Sequence, residues 1–544
     1  MLDPLPDLGW RYLRQDTELV VGEHLFRSPL LPILILGIFL VLSLALREHH
    51  SAELRSVLSR MASTGWLGLT LIALFSAGLS LAVNQGPLGG VPHSQDEIAY
   101  LHQARALGAG RIFTPAPARG LEAGFRVPFM LELDQGWVGK YPPGWPMILA
   151  PFASLGLECL ANPCLNALAL LLFAALLRAW TTPVRALAGI LLIGFSPFFI
   201  GMGASYLSHP ADLVAGLLML LGWTICNSSA GRGSWILGLG ASIILASRPL
   251  EAPVLFVPIW MYALYRLRTY SWLDRAGFTA RAVILPIIVL SLTLAYHHRV
   301  TGDAFLSPFL LYSPSDHPGF SADVGTFDAE GNNLFKAVIN LTMNSLVLNE
   351  DLFGWPFCSL ALPLLGLLLP ATWSAQDRVL LLMSAGIYLL YFTFMGHGIC
   401  FGARYYYILL PAYGWFTLRG IEELGRRLYP SAHRGLLFTM LTASVISATT
   451  YVPRRLELMR NYWNVRSDPM HLVGGPVEGP TVMVIPDRKL HGFRDLYDSY
   501  FSLNALPPNS GQMVFIREGP WLESDAFAGY ATGRKQVRLI LDDD

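Results

Sequence analysis

Two adjacent carboxylates, Asp96 and Glu97, lie directly after a long apolar run, in the stretch HSQDEIAYLHQ that begins at position 93. A carboxylate held at the edge of a membrane can act as a general base, because it can accept a proton from a reacting hydroxyl group. The pair can also be a helix cap, since Ser94 and Glu97 have the spacing of a capping box. We predict Asp96 as a catalytic base and leave Glu97 open between a catalytic and a capping role. The helical period places Tyr100 on the face of Asp96.

A lysine between aromatic and proline residues follows in the run KYPPGWP at 140–146. The prolines prevent a regular helix start and predict an extended entry to the next apolar run. Tyr141 has the character of the aromatic belt at a membrane surface. Lys140 either reaches toward lipid headgroups or binds a phosphate at that surface.

Two further polar clusters stand at the ends of apolar runs. The run SHPAD at 208–212 contains His209 and Asp212. An Asp in an apolar context is costly unless it is paired or hydrated, and Asp212 can also cap its own helix. The run RPLE at 248–251 contains Arg248, which can bind an anion or simply pair with Glu251.

A last cluster, GARYY at 402–406, adds Arg404 and Tyr405. The polar groups of these clusters are predicted to project toward one face of the membrane, at the level where a lipid-linked phosphate would lie. Their convergence, more than any single residue, indicates a functional site. The residues that carry this prediction are Asp96, Lys140, His209, Asp212, Arg248 and Arg404.

The composition is that of a membrane protein. Hydrophobic residues make up 53% of the 544 positions, charged residues only 14%, and the mean hydropathy is +0.45. Soluble proteins carry about 25% charged residues. The net charge is zero and no long basic tract is present, which argues against a nucleic-acid partner. The five cysteines have no CxxC spacing, so a zinc knuckle is not expected.

The apolar runs predict a polytopic α-helical membrane protein with about 12–13 transmembrane helices, each of about 20 residues. Four short loops are rich in arginine. They share the cytoplasmic side only if the proline-rich run 143–157 does not cross the membrane. Loop 84–142, loop 298–356 and the tail then share the external side.

Three regions are predicted along the chain. Residues 1–63 would form an N-terminal leader, an extra transmembrane helix and a cytoplasmic loop, and residues 64–453 the transmembrane catalytic domain. Residues 454–544 contain three short β-like runs, at 480–486, 512–517 and 536–542, with a helix and loop at 493–506 between the first two. This pattern predicts a small external, periplasmic α/β domain.

The motifs, in this order, resemble the GT-C superfamily of glycosyltransferases, of the kind that uses polyprenyl-phosphate sugars and includes protein mannosyltransferases and the lipid A aminoarabinose transferase. DExxY, KYPPGWP, SHPAD, RPLE and GARYY carry the resemblance, which covers roughly residues 64–420. It implies a GT-C fold in the plasma (inner) membrane, with an external active site and a glycan, glycolipid or protein acceptor.

The resemblance also implies roles for the residues. The sugar would be transferred with inversion at its anomeric carbon, with Asp96, the first acid of its pair, as the base and Glu97 beside it. No cofactor is expected, and a divalent metal is not expected either, because the first external loop has no DxD pair. Lys140, Arg248 and Arg404 would bind the donor phosphate, and the other substrate contacts would come from Tyr100, Tyr141, His209, Asp212 and Tyr405.

Two alternatives stand beside the transferase. A transporter or flippase of a lipid-linked substrate would have inverted repeats and polar groups near the middle of the bilayer. No repeat is evident, and the polar groups stand at the ends of apolar runs next to large loops. A non-catalytic assembly protein would have no need of Asp96. The sequence therefore favours the transferase.

Overall fold

The computed structural model describes residues 65–325, 331–355, 359–370, 372–427, 443–460, 462, 479–487 and 496–539. The predicted leader, extra helix and loop at 1–63 lie outside these ranges, as do residues 435–442 of the predicted span 435–452. The described part is predominantly helical with two small sheets, so the predicted fold class is confirmed. The division into three regions stays a prediction.

The first described helix leads directly to the acidic pair. Helix α1 (Gly65–Gln85) is apolar, and after a short turn α2 (Gln95–Gly108) begins at the capping box. Strands β1 (Met130–Leu133) and β2 (Gly136–Gly139) form an antiparallel hairpin that ends at Lys140. A 3-10 turn, Glu122–Phe125, precedes the hairpin.

The apolar helices of the first half follow the hairpin. Helix α3 (Gly144–Ser154) has 11 residues and spans about 16 Å, which is too short to cross a bilayer. The prediction that this run does not cross is thus consistent with its length. The remaining helices of this half are α4 (Glu158–Trp180), α5 (Pro183–Gly194), α6 (Pro197–Ala204), α7 (His209–Ile225), α8 (Ala230–Ser247), α9 (Glu251–Arg266) and α10 (Trp272–Thr301).

Within the described ranges, three helices are long and apolar enough to cross a membrane, namely α1, α4 and α10. The pair α5 and α6, bent by 53° at a short break, passes the same test as one unit and raises the count to four. Helix α7 is apolar but shorter. The larger predicted number of spans rests on shorter runs and stays a prediction.

Helices α7 and α8 pack closely because glycines face the neighbouring backbone. A Cβ atom added at Gly240 would lie 2.4 Å from the Ala215 carbonyl oxygen, and one added at Gly222 would lie 2.5 Å from the Leu237 nitrogen. Small residues let apolar helices approach to backbone contact. This approach brings the end of α8 to the start of α7, where the Ser247 hydroxyl donates to Asp212 at 2.6 Å.

The second half completes the helical part and carries the GARYY run. One of its loops contains a short helix that contacts the segment before the β1–β2 hairpin. There the Tyr312 hydroxyl accepts a hydrogen bond from the Phe129 N–H at 3.0 Å. The elements are α11 (Pro308–Tyr312), α12 (Leu334–Asp351), α13 (Ala361–Leu368), α14 (Ala375–Phe392), a 3-10 helix (Arg404–Leu409), α15 (Leu410–Arg427), a π-helical turn (Ser447–Tyr451) and α16 (Val452–Arg460).

The tail forms the small α/β unit that its sequence predicts. Its parallel sheet has the order β4-β3-β5, close to the three predicted runs. The unit packs against α2, where the His102 ring stacks on Phe501 at 5.5 Å and Gln95 donates to Asp498 at 3.0 Å. Its elements are β3 (Thr481–Ile485), α17 (Leu496–Phe501), β4 (Met513–Arg517), a 3-10 turn (Pro520–Glu523), α18 (Asp525–Ala531) and β5 (Lys535–Arg538).

We predict that Gly240→Ala destabilises the protein by about 1–3 kcal/mol, because the new methyl group overpacks the α7–α8 contact. Gly231→Ala in the same helix is the matched control, since a Cβ at Gly231 meets no atom within 4 Å. Thermal unfolding in detergent compares the two variants with the wild type. Equal melting temperatures for both variants would show that the helices do not depend on this close approach.

Candidate active site

The two acids at the start of α2, Asp96 and Glu97, have different hydrogen-bond partners. Glu97 is buried, and its carboxylate accepts hydrogen bonds from the backbone N–H groups of His93 and Ser94 at 2.9 and 2.8 Å. It also accepts from the Ser94 hydroxyl at 3.0 Å and from the Tyr206 N–H at 2.7 Å. The capping box is complete. Because both oxygens accept hydrogen bonds from the protein, three of them from backbone N–H groups, Glu97 positions the start of the helix, and this geometry favours the capping role.

Asp96 presents its carboxylate to other side chains. Its side chain is 20% exposed, accepts a hydrogen bond from the Tyr141 hydroxyl at 2.5 Å and lies 3.4 Å from an Arg404 nitrogen. Burial acts to raise the pKa of Asp96, but Arg404, the Tyr141 hydroxyl and Lys140 outweigh it and hold the pKa below its ordinary value. Asp96 is therefore an ionised carboxylate in a fixed orientation.

Lys140 lies at the end of the hairpin, and the structure surrounds its ammonium group with aromatic rings. The Nζ atom is 3.8 Å from the ring centroid of Phe129 and 4.5 Å from that of Phe309. Tyr312 and Tyr141 complete the set at 5.1 and 5.4 Å. We call Phe129, Tyr141, Phe309 and Tyr312 the aromatic cage. Burial lowers the pKa of Lys140, while the charges of Asp96 and Asp316 act in the opposite direction.

A tight turn in the GARYY run places Arg404 next to Asp96. Gly402 has φ +114, and a Cβ there would meet Asp351 Oδ2 at 2.9 Å and the Phe198 ring at 2.7 Å, so the position requires glycine. The next tyrosine, Tyr405, stacks face to face on Tyr391 at 4.1 Å. Its ring also lies 5.4 Å from the Arg404 guanidinium and 5.5 Å from that of Arg248. Tyr405 is therefore in contact range of two guanidinium groups.

A second polar cluster surrounds Arg248. All three guanidinium nitrogens have protein partners: Nε lies 2.5 Å from Glu251, Nη1 2.7 Å from His209 Nε2, and Nη2 3.0 Å from the Tyr391 hydroxyl. Asp212 lies 3.9 Å from the same guanidinium. The charge of Arg248 is balanced by two carboxylates, so the prediction that Arg248 binds the donor phosphate is not favoured by this geometry.

The contact with Arg248 also determines the tautomer of His209. Because a guanidinium group only donates, Nε2 of the buried His209 must accept, and the ring proton lies on Nδ1. The Nδ1 atom has no hydrogen-bond partner in the part of the chain that the structure describes. His209 is thus a neutral hydrogen-bond donor at the start of α7. Asp212 on the same helix accepts from Ser208 at 3.0 Å as well as from Ser247.

Tyr100 lies between the two groups of charges. Its ring packs on Tyr141 with the centroids 4.6 Å apart. Burial and the charge of Asp96 raise the pKa of Tyr100, while Arg248 and Arg404 both act against them. The hydroxyl is therefore a neutral group within electrostatic range of both clusters, as expected for a substrate contact.

The structure thus brings together the residues that the sequence predicted, and it adds others. Phe129, Phe309, Tyr312 and Asp316 contribute to the surroundings of Lys140, and Tyr391 joins Arg248 to Tyr405. None of these residues follows from the motifs, because they lie in segments outside them: Tyr391 in helix α14, Phe309 and Tyr312 in the short helix α11, and Phe129 and Asp316 in loops. In the ranges that the structure describes, no group of three His, Cys, Asp or Glu side chains could hold a metal ion. Metal independence stays a prediction.

Two solved structures are similar to this chain. ArnT from Cupriavidus metallidurans bound to undecaprenyl phosphate is 14% identical, with a TM-score of 0.44, over 87% of this chain and 90% of that chain. The apo state of the same protein is 13% identical, with a TM-score of 0.46, over 88% and 90%. No protein-family model and no curated protein matches the chain.

We predict that Glu97→Ala lowers the melting temperature, because it leaves buried N–H groups of His93, Ser94 and Tyr206 without an acceptor. Each such group costs about 1–3 kcal/mol. Glu132→Ala is the control, since Glu132 is an exposed acid that forms only a surface ion pair with Arg126. A Glu97 variant as stable as the wild type would contradict the positioning role.

Proposed function

We propose that this chain is an integral-membrane inverting glycosyltransferase that moves a sugar from a polyprenyl-phosphate donor to an acceptor hydroxyl. The acceptor oxygen forms a bond to the anomeric carbon, and the bond from that carbon to the phosphate oxygen breaks with its electron pair on the phosphate. The acceptor proton passes to Asp96. Polyprenyl phosphate leaves with one more negative charge than it carried as a sugar ester.

The observation that carries this proposal is one fixed, ionised carboxylate beside two buried cations. Asp96 is oriented by the Tyr141 hydroxyl and by Arg404, and the charge of Lys140 also acts on it. A low pKa makes Asp96 a weak base toward a free alcohol. Such a weak base suits a reaction in which the acceptor hydroxyl becomes acidic only as its oxygen bonds to the anomeric carbon. The proton then passes to Asp96 late in the displacement.

Lys140 and Arg404 are the cations that suit the leaving phosphate. Both are buried or nearly so, and the Arg404 Nε atom has no partner among the described residues. Preorganised donors at a site where charge develops contribute roughly 3–4 kcal/mol each. The Arg248 cluster has a formal charge no higher than zero, because Glu251 and Asp212 face one guanidinium. It suits a neutral, hydroxyl-rich sugar better than a phosphate, with His209, Asp212 and Tyr405 as contacts.

The location of the site at the ends of apolar helices supports a lipid-linked donor. The Asp96 helix follows the apolar helix α1 after a short turn, and Asp212 lies in the first turn of the apolar helix α7. A polyprenyl chain in the bilayer would bring its phosphate to this level. We place the enzyme in the plasma (inner) membrane with the site on the external, periplasmic face. The proposed partners are a polyprenyl-phosphate sugar, a glycan, glycolipid or protein acceptor and membrane lipid, and the reaction uses no metal.

We predict that Asp96→Asn lowers sugar transfer by about 10²–10⁴-fold, the usual range for a lost general base. Binding of undecaprenyl phosphate should persist, because the cations remain. Purified protein is tested with synthetic undecaprenyl-phosphate sugars by mass spectrometry of the products. Asp134→Asn, at an exposed turn of the hairpin, is the control and should keep full activity. Wild-type turnover in the Asp96 variant would contradict the proposed base.

We predict that Tyr141→Phe moves the acid limb of the kcat/KM profile to higher pH. The Tyr141 hydroxyl helps to hold the pKa of Asp96 down, so its loss raises that pKa and the base is protonated at a pH where the wild type is still ionised. Tyr270→Phe, at an exposed tyrosine, should leave the profile unchanged. An acid limb that stays in place, or moves to lower pH, would exclude Asp96 as the titrating base.

A further inference from the structure

The unusual feature of Lys140 is that a buried ammonium group has no ion-pair partner although carboxylates lie near. Among the described residues, Lys140 forms no ion pair, and neither does Asp316. Yet the charges of both Asp96 and Asp316 act on the pKa of Lys140. A flexible lysine next to a carboxylate in a low-dielectric site would ordinarily close onto it. Something in the structure prevents this pairing.

The aromatic cage is what holds the ammonium in place. Ring faces attract a cation through their quadrupole, and the attraction is strongest when the cation is desolvated. Four rings lie within 3.8 to 5.4 Å of the Nζ atom, and Lys140 is only 3% exposed. An aromatic ring carries no net charge, so the cage holds the ammonium without cancelling its positive charge.

The ring closest to the ammonium stands on a strained backbone. Phe129 has φ 67, a left-handed conformation that is unfavourable for a bulky residue. Its N–H donates to the Tyr312 hydroxyl at 3.0 Å, and its carbonyl accepts from the Lys140 N–H at 2.9 Å. A strained residue held by its surroundings next to a reactive group is typical of a functional site.

We propose that Phe129, Phe309 and Tyr312 are positioning residues that keep the Lys140 ammonium out of an ion pair with Asp96 or Asp316, so that its full charge remains available to an anionic oxygen of the substrate. The inference rests on the proposed function, in which that oxygen belongs to the phosphate of the lipid donor. It goes beyond that function in assigning a role to three residues that make no contact with reacting atoms.

The charges of the site explain why the separation matters. Arg404 already balances Asp96 at 3.4 Å. If Lys140 joined that pair, the base would lose proton affinity and the phosphate would lose its free cation. Asp96, Arg404 and Lys140 together have a formal charge of one positive unit, and with Lys140 in the cage this charge lies on an ammonium group that no carboxylate of the described residues contacts. Asp316, whose pKa burial raises and whose charge also acts on Lys140, is a second carboxylate that the cage must exclude.

The test uses the backbone conformation of Phe129. Phe129→Gly removes the ring but is well suited to the left-handed φ, so it relieves strain while it opens the cage. Phe129→Tyr keeps an aromatic ring. Phe320→Leu changes an exposed aromatic residue of the same loop region and is the control. Each variant is measured for thermal stability and for binding of undecaprenyl phosphate.

We expect Phe129→Gly to weaken binding of undecaprenyl phosphate about threefold to thirtyfold, the range of a desolvated cation–π contact. Phe129→Tyr and Phe320→Leu should bind within about twofold of the wild type. In a Lys140→Met background the effect of Phe129→Gly should vanish, because the ring acts through the ammonium. An equal loss in both backgrounds would overturn the inference, as would unchanged binding by the stable Phe129→Gly protein.

A second measurement does not depend on the donor. The rate of Lys140 modification by a small amine-reactive reagent, followed by peptide mass spectrometry, reports its titration. In Phe129→Gly the ammonium gains water and carboxylate partners, so the midpoint should move to higher pH. A midpoint that is unchanged or lower would overturn the cage. If the wild type fails to bind undecaprenyl phosphate while the midpoint moves as expected, the proposed donor is wrong and the cage stands.

Discussion

The hydrogen bonds of the Glu97 carboxylate hold the site together. One oxygen closes the start of α2, and the other reaches the Tyr206 N–H in the segment just before His209. The carbonyl of Tyr206 in turn accepts from the Trp145 indole at 2.9 Å. Three motifs that are far apart in sequence thus meet at one backbone segment. Asp96 is adjacent to this buried anchor in the chain, and the Tyr141 hydroxyl and Arg404 orient its carboxylate.

The site also depends on which of its three cations have carboxylate partners. In a low-dielectric environment each charge needs a partner, and a site for an anion must nonetheless keep one cation unbalanced. Here Arg248 is balanced by Glu251 and Asp212, and Arg404 by Asp96. The rings around Lys140 stabilise the remaining positive charge. The Tyr405 ring lies within 5.5 Å of both guanidinium groups and so links the two clusters of charges.

Much of this could be predicted from the sequence, and the exceptions have a physical cause. The capping box, the strands of the tail and the convergence of the polar clusters follow from local patterns of residues. The partners of Arg248 do not, because the choice between an anion and Glu251, His209 or Tyr391 depends on how α7, α8, α9 and α14 pack. The aromatic cage was missed because Phe129 takes a backbone conformation that no propensity predicts, and Phe309 and Tyr312 lie in a loop without a motif.

The most direct test of the account is the anomeric configuration of the product. Purified wild-type protein is given an undecaprenyl-phosphate sugar of known configuration and an acceptor extract, and the new glycosidic bond is assigned by nuclear magnetic resonance. A single displacement with Asp96 as the base predicts inversion at the anomeric carbon. A product with retained configuration would contradict it, because retention requires a covalent intermediate or a second displacement. Absence of transfer from every lipid-phosphate sugar would contradict the proposed function itself.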